Sequence, residues 1–414
     1  MQHRAEPRRP HGLTPGRFLS LVLCYLLILS ACGLGWLYHS VPDTIYVEQG
    51  QPVELARLPF LSAQESLGAQ NAAVTTRTGS YNTTLAIGGV LPLKTVRTVV
   101  TDRPTVTVCG TPFGIKMFSE GALVVAFTDI ATPNGSANPA KEAGLRLGDR
   151  IISVGGAATR SNDDLSQAIA DAQGQPVEVV FVRDGEQRAV TLTPVQSDEG
   201  SWRAGMWVRD SSAGVGMLTF VQENLGVFAG LGHSISDSDT GESIALRSGE
   251  IVPCKITGCT KGKVGSPGEL HGQFQSGLAL GAISMNGMTG VYGTTHSAFG
   301  GTHMEVAFAQ EVETGTAEIW TTIEGDTPKA YTVEIESVRY VSEQENRNLV
   351  IRVTDPELLQ ATGGIVQGMS GSPILQNGRL VGAVTHVLVN DPTRGYGVFA
   401  QTMLEHAESL AAAQ

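Results

Sequence analysis

The sequence predicts a mainly β protein behind one N-terminal membrane-spanning helix. Three observations predict this. The segment from Phe18 to about Tyr38 is uncharged and largely apolar, close to the roughly 20 residues a bilayer-crossing helix needs. The chain holds 50 glycines among many Val, Ile and Thr residues, the composition of short strands joined by tight turns. Beyond residue 198, helical spacing is confined to 355–361 and 401–413, while short apolar strands recur.

Composition bounds the rest. A chain of 414 residues holds two or three folded units with connecting segments. Its 41% hydrophobic and 16% charged content suits domains with real cores. The net charge of −12, with no long basic run, argues against a nucleic-acid partner, which would need a basic footprint. The five cysteines, Cys24, Cys32, Cys109, Cys254 and Cys259, are too sparse for a disulfide framework. Cys254 and Cys259 either bridge across a turn or stay free. A metal site built from them with a histidine such as His271 would have loose ligand spacing, so neither a metal nor a cofactor is expected.

The N-terminal element sets the compartment. Residues 1–17 carry Arg4, Arg8, Arg9 and Arg17 against one acid, Glu6. Basic residues before a span stay in the cytoplasm, so the chain after residue 38 is exported. Trp36 and Tyr38 fall where an interfacial belt belongs. A cleaved signal peptide, or a lipoprotein box at Leu29-Ser30-Ala31-Cys32 with Cys32 lipidated, are the alternatives. All three place the bulk of the protein outside the cytoplasm.

Residues 39–104 read as a stalk or small β unit, with a strand at Thr44-Ile45-Tyr46-Val47 and a largely apolar stretch over 85–100. Residues 105–198 have a clearer order. A Gly-led turn enters a strand at Gly114-Ile115-Lys116-Met117, and Ala122-Leu123-Val124-Val125 is a second strand. A short helix stops at Gly144, a turn follows at Gly148-Asp149, and a buried strand begins at Ile151. Residues 162–172 have helical spacing, with Leu165, Ile169 and Ala172 on one face. Two strands joined at Asp184-Gly185 close the segment.

This order, with Ala143-Gly144-Leu145 and Gly148-Asp149 before Ile151, resembles a PDZ domain over 105–198. The resemblance implies β-augmentation by a peptide ligand, whose C-terminal carboxylate is held by backbone N–H groups. Gly114, Ile115, Lys116 and Met117 would form that carboxylate-binding loop. A purely structural PDZ domain that binds nothing is the alternative.

Residues 199–414 suit a barrel or sandwich. The chemistry lies in Gly368-Met369-Ser370-Gly371-Ser372-Pro373. A serine hydroxyl becomes a nucleophile when a base takes its proton and donors hold the oxyanion. Glycines around Ser370 permit a tight turn that aims the Gly368 and Ser370 N–H groups at one point. A hairpin at Gly378 follows. This local pattern is similar to that of chymotrypsin-like double-barrel peptidases. Candidate bases are His233, His271, His296, His303 and His386. His233, after an apolar strand and a whole barrel's length before Ser370, fits the His…Asp…Ser order; His386 suits the substrate cleft. For the acid, Asp355 reads equally as an N-cap with Pro356 at the first helical position; Asp237 and Asp239 are rivals by proximity to His233.

Together, the anchor, one PDZ-like segment, Leu231-Gly232-His233 and Gly363-Gly364-Ile365-Val366-Gln367-Gly368-Met369-Ser370 resemble the stage IV sporulation protein B family of serine peptidases. The resemblance implies a triad of His233, Asp355 and Ser370. It implies an exported endopeptidase between forespore and mother cell. The implied substrate is a membrane-bound regulator of the sigma-K checkpoint, whose cleavage triggers pro-sigma-K processing, and self-cleavage near the N-terminus is implied as well. The remaining alternative is a non-catalytic PDZ scaffold with a protease-like docking domain.

Overall fold

A computed structural model describes residues 15–64, 79–133, 135–237, 240–241, 243–275 and 277–413. Most of the basic segment expected over 1–17 lies outside the described residues, as does Asp239. Two compact units result, the first ending at Asp102 and the second beginning at Arg103.

The first unit begins with a helix over Pro15–Ser40. Its stretch Phe18–Ser40 is 23 residues long with mean hydropathy 2.3, and none of its most apolar window is buried in the fold. A long helix whose most apolar stretch is left exposed by the fold is suited to lipid. A four-stranded sheet follows, with Thr44–Val47 beside Leu91–Val100, then Gly79–Ile87 and Leu61–Gln64. Ile45, Leu85 and Val96 are buried, and the hydroxyls of Thr83 and Thr98 meet at 2.7 Å inside it.

The second unit holds two β-barrels and one nested domain. In the first barrel, Pro112–Phe127 pairs with Met206–Gln222, and the ladder passes through Val227–Gly230, Gly290–Thr295, Gly281–Gly287 and Leu246–Thr260. Leu246–Thr260 pairs back onto Pro112–Phe127, so the ring closes. The second barrel is closed by Gly315–Thr321, Lys329–Val338, Leu349–Val353, Arg394–Phe399, Arg379–Val387 and Pro373–Gln376. The C-terminal helix Ala400–Ala412 joins them: Met403 and Leu404 share one buried cluster with Phe220 and Tyr292 of the first barrel and Leu380 and Val398 of the second.

The PDZ domain is nested inside the first barrel, and this corrects the boundaries expected at 105–198 and 199–414. Both long strands serve two domains. Residues 112–118 pair with 211–217 in the barrel, while 123–127 pair with 206–209 in the PDZ domain. The changeover is irregular, with a register shift between Arg209 and Ser211. Gly121 sits there at φ +83, where a Cβ would lie 2.3 Å from the Ile151 carbonyl oxygen; only glycine fits so close a crossing.

Local chemistry explains the nested domain. Its core joins Val124, Leu145, Ile151, Leu165, Ile169 and Phe181. Ser161 caps the helix Asn162–Asp171 by accepting from the Asp164 N–H; Ala172 lies one residue past its end. Asp149 is fully buried. Its carboxylate takes the Arg183 Nε and Nη2 donors, both at 2.6 Å, and the Arg146 N–H at 2.7 Å. Removing one partner of a buried pair leaves an uncompensated charge. Asp149→Ala should therefore destabilise the nested domain by about 3 kcal/mol, measured by urea unfolding followed through Trp202 and Trp207 fluorescence.

Candidate active site

Ser370 stands on a tight turn leading into Pro373–Gln376. The Met369 N–H donates to the Val366 carbonyl at 3.1 Å and the Ser372 N–H to that of Met369 at 3.0 Å. The turn is held from the first barrel: the Met217 N–H donates to the Ser370 carbonyl at 2.8 Å, and Thr219 Oγ1 to that of Gly371 at 2.8 Å. Gly371 has φ +89, and a Cβ there would meet the Met217 carbonyl oxygen at 2.0 Å. The Gly368 and Ser370 amides donate to no other described residue, so both are available to an incoming oxyanion.

His233 follows the strand Val227–Gly230 through two left-handed residues, Leu231 at φ +66 and Gly232 at φ +69. That turn delivers the ring to the nucleophile, with Nε2 2.9 Å from Ser370 Oγ. Nδ1 lies 2.7 Å from the Ser234 carbonyl oxygen. A carbonyl only accepts, so the neutral ring carries its proton on Nδ1 and presents the Nε2 lone pair to the serine. Ser370 Oγ also lies 2.8 Å from the Thr385 carbonyl oxygen. The hydroxyl thus has two acceptors. Turned to Nε2 it is activated. When His233 is protonated, Nε2 becomes a donor and the hydroxyl proton goes to Thr385.

Burial lowers the pKa of His233, partly opposed by its bond to Ser234. The His386 ring packs on His233 with centroids 4.6 Å apart. Burial, helped by the charges of His233 and Arg347, pulls the His386 pKa down to about 4. His386 is therefore neutral near pH 7 and adds no positive charge beside the base.

The expected acid is not brought to His233. Asp355 caps the helix Pro356–Thr362: Oδ1 accepts from the Glu357 N–H at 2.9 Å and the Leu358 N–H at 3.1 Å. Oδ2 faces the Thr332 N–H at 3.4 Å. The cap satisfies two orphan amides of the helix start, where proline at the first position also fits, and the Nδ1 proton of His233 already has the Ser234 carbonyl. Asp237 is buried and bonded to Arg209 at 2.5 Å.

The expected carboxylate-binding loop is also corrected. Gly114, Ile115, Lys116 and Met117 form part of a first-barrel strand flanked by 212–215 on one side and 249–252 on the other. Its amides are consumed in two ladders. Ile115 and Met117 are buried, and Lys116 pairs with Glu250 at 3.0 Å. The PDZ groove lies instead beside residues 206–208, which pair on one edge with 124–127. Across from them Leu165, Ser166 and Ile169 of the helix complete a groove of about 650 Å³. Gly205, at φ +81, is the Gly-led turn that enters this strand. The same local pattern at both places hid which one opens the groove. Cys254 and Cys259 lie on one continuous strand and are free, since the bridge needed a turn there. Among the described residues, no three His, Cys, Asp or Glu side chains are grouped to hold an ion.

Residues 200–404 match the family described as SpoIVB peptidase S55, and residues 137–183 match the PDZ domain. The chain is mainly β, with a PDZ domain, and over residues 200–404 it is similar to serine peptidases of that family. The zinc metalloprotease RasP of Geobacillus kaustophilus is 28% identical over 137 residues, 27% of this chain and 32% of that protein. The chain spans about a third or less of the length of the curated relatives it matches. The thermostable serine protease AL20 of an extremophilic microorganism is 12% identical, with a TM-score of 0.31, over 49% of this chain and 93% of its own. Protease Anisep of Arthrobacter nicotinovorans is 13% identical, with a TM-score of 0.30, over 49% and 91%.

Two outcomes follow from this geometry. The base works as neutral imidazole, so activity is lost as pH falls through the His233 pKa. Because burial lowers that pKa, the acid limb of kcat/KM should have its midpoint below the ordinary histidine value of about 6.5. Gly371→Ala should cost on the order of 10²-fold or more in rate, because Met217 and Ser370 cannot keep their bond around a Cβ.

Proposed function

We propose that this chain is a membrane-tethered signalling endopeptidase of sporulation. The observation that carries the reading is the 2.9 Å contact of His233 Nε2 with Ser370 Oγ inside an S55 peptidase domain. Ser370 Oγ attacks the scissile carbonyl carbon while His233 Nε2 takes its proton. The Gly368 and Ser370 N–H groups hold the oxyanion. The C–N bond then breaks, the amine leaves with the proton from His233, and water releases the acyl group by the same steps in reverse.

The substrate in this reading is a membrane-bound regulator of the sigma-K checkpoint, cut in the space between forespore and mother cell so that pro-sigma-K processing begins. The apolar helix Phe18–Ser40 supports a site of action at a membrane. The chain's own N-terminal segment is a second substrate. The groove beside residues 206–208 takes an extended peptide as an added strand.

The test compares wild type with Ser370→Ala and His233→Ala. Either substitution should lower the rate by roughly 10⁴-fold or more and abolish N-terminal shortening. Equal shortening in wild type and Ser370→Ala would sink self-processing by this serine. Retained cleavage of the co-expressed regulator by Ser370→Ala would sink the proteolytic reading.

A further inference from the structure

We propose that Asn286 is the positioning residue for His233 and acts through a single peptide plane. The inference deepens the reading above and rests on Ser370 and His233 being nucleophile and base. The base needs a fixed acceptor at Nδ1, and here that acceptor is the Ser234 carbonyl. A backbone carbonyl points wherever its rigid peptide unit is turned. The Ser234 carbonyl and the Ile235 N–H belong to the same unit, so whatever holds one aims the other.

Asn286 holds it. The Ile235 N–H donates to Asn286 Oδ1 at 2.7 Å. Asn286 Nδ2 donates to the carbonyls of Ile235 and Ile244, both at 3.0 Å, and lies 3.5 Å from Ser243 Oγ. One orientation of the amide satisfies this set, with oxygen towards the N–H and nitrogen towards two carbonyls. Asn286 belongs to the strand Gly281–Gly287 and is paired in register with Val291, so its own backbone is fixed by the first barrel. Control therefore runs from the barrel wall to the 234–235 peptide, to the Nδ1 proton, and to the Nε2 lone pair at Ser370. The orientation that a buried carboxylate supplies in a Ser-His-Asp triad is supplied here by an amide and one peptide bond.

This role leaves a signature in the acid limb. Among the described residues, the groups at His233 are Ser370 from the nucleophile turn and neutral His386 from Arg379–Val387, with Arg347 acting on His386. Asp237, on His233's own loop, is engaged by Arg209. The bond to Ser234 raises the His233 pKa against burial. Freeing the 234–235 peptide weakens that bond while the ring stays buried, so the pKa falls further. General loosening of the loop would hydrate the ring and move the pKa up.

The experiment measures the second-order rate at which an alkyl fluorophosphonate labels Ser370 in the full-length protein in detergent, as a function of pH. Asn286→Ala should slow labelling on the order of 10²-fold and shift the acid midpoint to lower pH. Asn286→Asp keeps the acceptor for the Ile235 N–H and should stay within about tenfold of wild type. Asp355→Asn should leave labelling within about threefold of wild type if the cap survives. The proposal is overturned if folded Asn286→Ala labels like wild type, if its acid midpoint rises, or if Asn286→Asp loses as much as Asn286→Ala. Labelling that persists in Ser370→Ala would instead overturn the nucleophile assignment, a separate outcome.

Discussion

The strand Met206–Gln222 has to satisfy three neighbours at once, and the active site depends on how it does so. Its first residues complete the PDZ sheet. Its middle closes the first barrel. Near its end, Met217 gives its N–H to Ser370 and Thr219 gives its hydroxyl to Gly371. The nucleophile belongs to the second barrel by sequence but is held in place by the first. This explains why two glycines near Ser370 have positive φ: the turn must lie flat against a foreign strand, with no room for a Cβ at Gly371.

The same sharing accounts for the base. His233 leaves a first-barrel strand through a left-handed turn, and the Gly232 position is closed by Thr385 and Val384 of the second barrel. Base and nucleophile thus approach from opposite barrels, and the contact between their side chains forms when the barrels are packed. The cluster around Met403, Leu404, Phe220 and Tyr292 maintains that packing far from the chemistry. A cavity in that cluster would be felt at the dyad as a change in the Nε2 to Oγ distance, to which proton transfer is sensitive.

Legibility followed range. Ser370 and its flanking glycines were readable because the turn needs those residues within six positions. His233 was readable because a strand ending in Gly-x-Gly-His brings a ring to a rim. The PDZ core was readable from Leu165, Ile169 and the Gly148-Asp149 turn, which are local. The nesting was not readable, because it depends on residues 112–118 pairing with 211–217 across about ninety intervening positions. The peptide groove was misplaced for the same reason: Gly114 and Gly205 each lead into an apolar strand, and only long-range pairing distinguishes the buried one from the open one. Asp355 carried two local meanings, and the helix cap won because its carboxylate is taken by the Glu357 and Leu358 N–H groups. Asn286 gave no signal, since a single asparagine in a strand acquires a role only from the loop it faces.

Nesting also fixes how far the groove stands from the nucleophile. The eleven steps from Met206 to Met217 span at most about 36 Å of extended strand at roughly 3.3 Å each. The bulge at Arg209–Ser211 shortens that path. No flexible linker lies between the groove and Met217, whose N–H holds the Ser370 turn, because the strand Met206–Gln222 runs unbroken from one to the other. In domains joined by a loose tether, effective concentration falls off with linker length; here the separation is set by covalent strands and their ladder. The straight-line gap from Met206 to Met217 is therefore no longer than about eleven extended residues. The separation of groove and nucleophile is thus fixed by the fold and bounded above by the length of that strand.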